Sequence, residues 1–184
     1  MSILEMLGLK RGGRARVADG DTETVRRIIG ELQSLNPDRA RFIAAFAYVL
    51  SRVAYADRNI SDEETEVMEH LLEELGGLEK AQAVLVAAIA KEQVRLFAGT
   101  ENFLVTREFR EVSTREEREQ LLHCLFAVAA ADDTISASEE AQVRQIASEL
   151  GFSDEEFIAV RTDYNDKREV VQLMRATTAA TKRP

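Results

Sequence analysis

The chain has few of the residues that usually carry chemistry or covalent cross-links. Its 184 residues include one cysteine, two histidines, two prolines and no tryptophan. Cys124 has no partner for an internal disulfide, and its apolar surroundings predict a core residue. His70 and His123 have no second ligand at zinc-binding spacing, because Cys124 directly follows His123 and neighbours on a helix point apart. A zinc site is therefore not expected.

Several function classes are also unsupported. The sequence contains no P-loop, dinucleotide fingerprint, nucleophile elbow or His-Glu-x-x-His motif. A hydrolase using two carboxylates as acid and base would lack a nucleophile or substrate motif, so we do not predict an enzyme. No apolar run approaches the roughly 20 residues that span a bilayer. The opening residues do not resemble a signal peptide, which leads us to expect a cytoplasmic protein.

The net charge of the chain indicates which kinds of partner it could bind. The formal net charge is −9, which argues against nucleic-acid binding because that function needs a basic surface. Cations and basic partner surfaces suit the chain better. The opening apolar residues, with the basic residues that follow them, offer one local exception, and residues 1–16 are a minor candidate for contact with an anionic membrane. A loosely docked terminus is the alternative interpretation of this segment.

Helical periodicity dominates the sequence. Apolar residues make up 45% and charged residues 31% of the chain, and no segment alternates with a period of two. This pattern predicts an all-α fold, a single-domain bundle of about seven helices. The region from 100 to 112 fits either a short helix or a packed loop. We expect three parts: an amphipathic, basic N-terminal extension (1–20), a helical domain (21–164) and a partly mobile C-terminal tail (165–184).

The helical domain contains an internal duplication, with one repeat at about 40–77 and a second at about 115–152. Each repeat has an apolar helix, an acidic stretch and a second helix that ends in Glu-Leu-Gly. We call residues 55–64 the first acidic junction and residues 130–139 the second acidic junction. Sliding the chain along itself aligns Asp57 with Asp132, Ile60 with Ile135, Ser61 with Ser136, Glu64 with Glu139, and Gly76 with Gly151.

Helix capping explains only part of these junctions. Ser61 with Glu64, and Ser136 with Glu139, fit Ser-x-x-Glu capping boxes that need no ligand. Capping does not require an aspartate at the end of the preceding helix, where the macrodipole disfavours negative charge. The repetition of that aspartate suggests compensation by a cation or by a basic side chain.

A calcium-binding EF-hand loop is the obvious comparison, but the match fails. Asp62 stands where the loop needs glycine, and Met68 stands where it needs the bidentate glutamate. Each junction alone offers too few carboxylates for tight binding. If the two junctions approach one another, four carboxylates would form a site suited to Ca²⁺ or Mg²⁺. These predicted metal ligands are Asp57, Glu64, Asp132 and Glu139.

Both repeats resemble the Ala-Asp-Gly-x-Ile-x-x-x-Glu signature of the TerB family, which is associated with bacterial tellurite resistance. The family is related to the N-terminal module of a membrane-anchored DnaJ-type co-chaperone. The resemblance covers roughly 40–164 and implies a compact helical bundle whose acidic motif residues gather on one face, with cation binding proposed. The chain departs from the signature at two positions, since Arg58 and Asp133 replace its glycine.

These observations predict a non-enzymatic binding module. The paired acidic site would take a divalent cation or a basic partner surface, in the stress-response setting that the resemblance implies. The alternative is a metal-independent adaptor whose acidic face docks another protein, with possible contact to a membrane surface.

Overall fold

The computed structural model describes residues 19–54, 62–96 and 102–181, and these form a helical bundle. Its nine α-helices are α1 (Asp19–Ser34), α2 (Pro37–Ala54), α3 (Asp62–Glu74), α4 (Lys80–Leu96), α5 (Asn102–Val112), α6 (Arg115–Ala129), α7 (Ala137–Glu149), α8 (Asp154–Thr162) and α9 (Glu169–Thr181). A short 3-10 helix, Asn165–Lys167, precedes α9.

The all-α prediction is confirmed, and the helix count is slightly above the seven expected. One addition is α5, which resolves the choice between helix and loop left open for residues 100–112. The other is α9, in the segment expected to be a tail. None of the helices in the described ranges is long and apolar enough to cross a membrane.

Local sequence signals set the helix boundaries. The side chains of Thr114, Ser136 and Ser153 each accept a hydrogen bond from a backbone N–H in the first turn, and a glutamate completes each capping box. The side chain of Asn36 accepts a hydrogen bond from the backbone N–H of Arg39 at 2.8 Å, just before the proline that opens α2. Gly151 ends α7 in the left-handed conformation, with φ of 85°.

The duplication is visible in how the helices pack. The central helices α2 and α6 contact each other, α7 of the second repeat packs against α2, and α3 of the first repeat packs against α6. The second helix of each repeat therefore packs against the central helix of the other repeat. Helices α4 and α5 cover α2, and two groups of aromatic rings fill the interior. Phe42, Phe46 and Phe109 form one group, and Phe126, Phe157 and Tyr164 form the other.

A buried ion pair joins three of these helices. The guanidinium of Arg52, on α2, lies 2.6 Å from the Glu149 carboxylate on α7, and their side chains are only 5% and 9% exposed. Arg52 also donates a hydrogen bond of 2.6 Å to the hydroxyl of Thr106, on α5. Burial alone would raise the pKa of Glu149, but hydrogen bonding and the charge of Arg52 outweigh it and lower the pKa. At pH values above 4.5, the ordinary glutamate pKa, the pair contributes its full stabilisation of the fold. That contribution is lost as the pH falls through the lowered pKa of the folded state.

Removal of one partner should cost more than removal of both. Glu149→Leu leaves the Arg52 guanidinium buried without a counter-charge, and we expect it to reduce the free energy of unfolding by about 3–5 kcal/mol. Arg52→Met/Glu149→Leu should lose clearly less, because no buried charge remains. Urea denaturation of the parent and both variants measures the difference. A double variant as unstable as the single one would show that packing, rather than charge, dominates at this site.

Candidate functional site

The second acidic junction is a short loop between α6 and α7. The carboxylate of Asp132 accepts a hydrogen bond of 3.1 Å from the backbone N–H of Thr134, and its side chain is exposed. Asp133 follows with φ of 69°, in the left-handed region. Ile135 is 1% exposed and anchors the loop in the core. The loop thus presents its two aspartates to solvent while its isoleucine is buried.

Glu139 is engaged in capping α7. Its carboxylate accepts hydrogen bonds from the backbone N–H of Ser136 at 2.8 Å and from the hydroxyl of Ser136 at 2.7 Å. The Ser136 oxygen in turn accepts from the backbone N–H of Glu139 at 3.2 Å. One carboxylate oxygen makes both contacts, so the other is left for further interactions. The capping interpretation of this half of the junction is confirmed.

The C-terminal segment, residues 165–181, lies directly on this junction. The backbone N–H of Ile135 donates to the carbonyl of Lys167 at 2.7 Å, and the N–H of Glu169 donates to the carbonyl of Ile135 at 3.0 Å. These two bonds form a parallel β-bridge between Ile135 and Arg168. Lys167 forms an ion pair with Asp133, and the amide of Gln172 donates to the carbonyl of Asp133 at 3.1 Å.

Glu140 is the strongest charged anchor for that segment. Arg168 reaches both of its carboxylate oxygens, at 2.7 and 3.1 Å, and Arg161 approaches from α8 at 3.0 Å. Burial on its own would raise the pKa of Glu140, but the two arginines outweigh it and lower the pKa. Since all three side chains are less than one-fifth exposed, this cluster is more strongly coupled than an ordinary surface pair.

The end of α2 lies beside the same helix. Gln142, on α7, donates a side-chain hydrogen bond to the carbonyl of Arg52, near the end of α2. Gln142 is less than two turns from the Ser136 cap, a rise of about 9 Å. Helix α7 therefore links the second junction to the end of α2. Asp57 and the side chain of Glu64 lie outside the described residues.

The four predicted metal ligands are consequently described only in part. Asp132 and Glu139 lie on the same loop and helix start, and neither forms an ion pair with any described residue. Within the described part of the chain, no three His, Cys, Asp or Glu side chains form a group that could hold a metal ion. The four-carboxylate site remains a prediction.

An open groove of about 690 Å³ runs along α7 beside the junction. Ile135, Ala137 and Ala141 give it an apolar floor, and Arg168 and Val170 of the C-terminal segment form part of its wall. Arg144 also lines it, paired with Asp154 at 2.6 Å. The groove is therefore shaped partly by the segment that covers the junction.

Sequence reasoning missed the residues that neutralise this junction. The sequence suggested that a cation or a basic side chain compensates the repeated aspartate. In the structure, Lys167 pairs with Asp133, which follows that aspartate in the second junction. Glu140 and its two arginines were not singled out. Two adjacent basic residues, Lys167 and Arg168, were the sequence signal for these contacts. Only the fold shows that they lie against the second junction.

The chain matches the model of one protein family over most of its helical domain. The model described as tellurite resistance protein TerB matches residues 42–162, about two thirds of the chain. The chain belongs to the TerB family. No curated protein and no solved structure matches the chain. Both acidic junctions lie within the TerB match, whereas the C-terminal segment that covers the second junction lies beyond it.

The TerB signature explains the strained residue in the second junction. Asp133 stands where the signature has glycine, and its φ of 69° is a conformation that glycine adopts freely. Aspartate tolerates this conformation better than most side chains do. The loop shape that the signature glycine favours is thus kept here by aspartate, and the replacement adds a carboxylate that pairs with Lys167.

Substitutions at Asp133 should separate backbone strain from charge. Asp133→Gly removes the strain and the exposed ion pair, so we expect a melting temperature close to that of the parent. Asp133→Val also removes the ion pair but places a β-branched residue at positive φ, so it should melt clearly lower. Calorimetric melting of the three proteins tests this. Equal melting temperatures for the two variants would contradict a left-handed conformation at this position.

Proposed function

We propose that this TerB-family chain is a non-enzymatic, cytoplasmic helical module of bacterial tellurite or stress response. In this proposal its two acidic junctions together bind a divalent cation or a basic surface of a partner protein. The family membership supports the setting. The proposed binding role is supported by the geometry of the second junction and by the acidic residues of both.

One observation carries the proposal: helix α7 starts at the second junction and also holds the end of α2. Its Gln142 contacts the carbonyl of Arg52, two residues before α2 ends. Along α7, the contact with α2 lies about 9 Å from the Ser136 cap that starts this helix. In the proposal, carboxylates of both junctions face one bound group, and the attachment of α2 to α7 is the described contact that supports it.

A divalent cation fits the oxygens available at the second junction. Asp132 is exposed, with one described hydrogen bond, and Glu139 has a second carboxylate oxygen beyond the one used in capping. Carboxylates of this kind suit hard cations such as Ca²⁺ and Mg²⁺. The net charge of −9 adds a favourable long-range attraction for cations.

A metal-independent adaptor is the second candidate, and a specific contact favours it. The junction already accepts a basic segment in this structure, since Lys167 pairs with Asp133 and Arg168 pairs with Glu140. Backbone pairing with Ile135 accompanies these charges. A basic segment of a partner could therefore be recognised by the same chemistry, without a metal ion.

Calorimetric titration with Ca²⁺ and Mg²⁺ tests the cation proposal. We expect the parent to release or absorb heat and to gain about 2.7 kcal/mol of stability at an ion concentration near 100 times Kd. Asp57→Asn/Asp132→Asn should lose both effects. Asp38→Asn/Asp163→Asn is the control, because it removes the same charge at exposed positions outside the junctions. Absence of heat and of thermal stabilisation in the parent would refute cation binding.

A further inference from the structure

The contacts of the C-terminal segment with the domain are mainly polar. The structure shows a two-bond β-bridge at Ile135, the ion pairs of Lys167 and Arg168, and a hydrogen bond from Gln172 to the carbonyl of Asp133. Charged and polar contacts of this kind depend on geometry and on salt, and exposed ones contribute little stability individually. The segment therefore has several connections to the junction, of which the Arg168–Glu140 pair is the best shielded.

Apolar burial adds little to this attachment. No residue of the 3-10 helix is buried. In α9, Val170, Leu173 and Met174 are 42%, 60% and 64% exposed. By contrast, helices α6 and α7 bury leucine, isoleucine and phenylalanine side chains completely. Units with few buried apolar contacts open at a lower free energy than the core does.

We propose that residues 165–181 form an electrostatic latch on the second acidic junction. The latch closes when Arg168 engages Glu140 and Lys167 engages Asp133, and it opens as a unit while the helical bundle stays folded. Opening leaves Glu140 paired with Arg161, so no buried carboxylate loses its only counter-charge. That remaining pair makes the opening less costly to the bundle.

The latch also gives the proposed binding site a means of control. Its Lys167 and Arg168 occupy the acidic surface that a basic partner would use, so the closed latch competes with such a partner in the same chain. Opening would free Asp133 and the edge of Ile135 together with the adjoining groove. This regulatory role rests on the proposed function, whereas the opening of the latch does not.

Hydrogen exchange on the full chain tests the latch directly. Arg168→Gln removes the shielded ion pair, and we expect exchange of the Ile135 and Glu169 amides to rise about tenfold while α6 amides keep the parent rate. High salt should accelerate the same amides in the parent. Arg175→Gln is the control, because Arg175 pairs at 2.6 Å with Asp166 of the same segment and should change neither rate.

Two results would overturn the latch. Unchanged exchange at Ile135 and Glu169 in Arg168→Gln would show that the ion pair does not hold the segment. A parallel rise at α6 amides would show that the segment opens only when the whole bundle unfolds.

A lysine decapeptide tests the regulatory role. We expect Arg168→Gln to bind the peptide about tenfold more tightly than the parent, because its latch is more often open. Equal measurable affinities would overturn the regulation and leave partner binding intact. If neither protein binds the peptide, the basic-partner form of the proposed function fails and regulation by competition fails with it, while hydrogen exchange still decides whether the latch exists.

Discussion

The packing of α2 against α7 and α5 depends on the buried pair between Arg52 and Glu149. A charged group in the interior requires a counter-charge with good geometry, and Glu149 provides it at 2.6 Å while Thr106 accepts a further hydrogen bond. The pair thereby fixes the end of α2 against α7 and α5. In the chain the first junction follows α2 and the second precedes α7, so this ion pair joins the two helices that adjoin the junctions.

The duplicated repeats differ in the residue that replaces the signature glycine of each junction. The second junction of this TerB domain has aspartate at the signature glycine and pairs it with Lys167, from a segment outside the family match. The first has Arg58 at the equivalent position, a basic residue next to Asp57. A basic residue is thus available to each junction, but from different sources: the next residue in the chain or a distant segment.

The C-terminal segment shows how a locally weak sequence can become ordered. Its apolar residues are too few to form a buried face, which led to the expectation of a tail. In the structure the segment gains backbone pairing with Ile135 and charged contacts with Glu140, and these begin the helix α9. Contacts between residues distant in sequence, rather than helix propensity, therefore give this segment its place on the domain.

The sequence by itself determined the helices other than α5 and α9, together with their caps and the duplication. These features arise from residues within a few positions of each other: serine and glutamate at Ser136 and Glu139, the stop at Gly151, and apolar residues at helical spacing. Only the tertiary structure decided which charges meet. Glu140 and Arg168 are 28 residues apart in the sequence, and Arg52 and Glu149 are 97 residues apart, so no local pattern could pair them. Pairing between distant charges follows from how the helices pack, and that packing is a property of the whole chain.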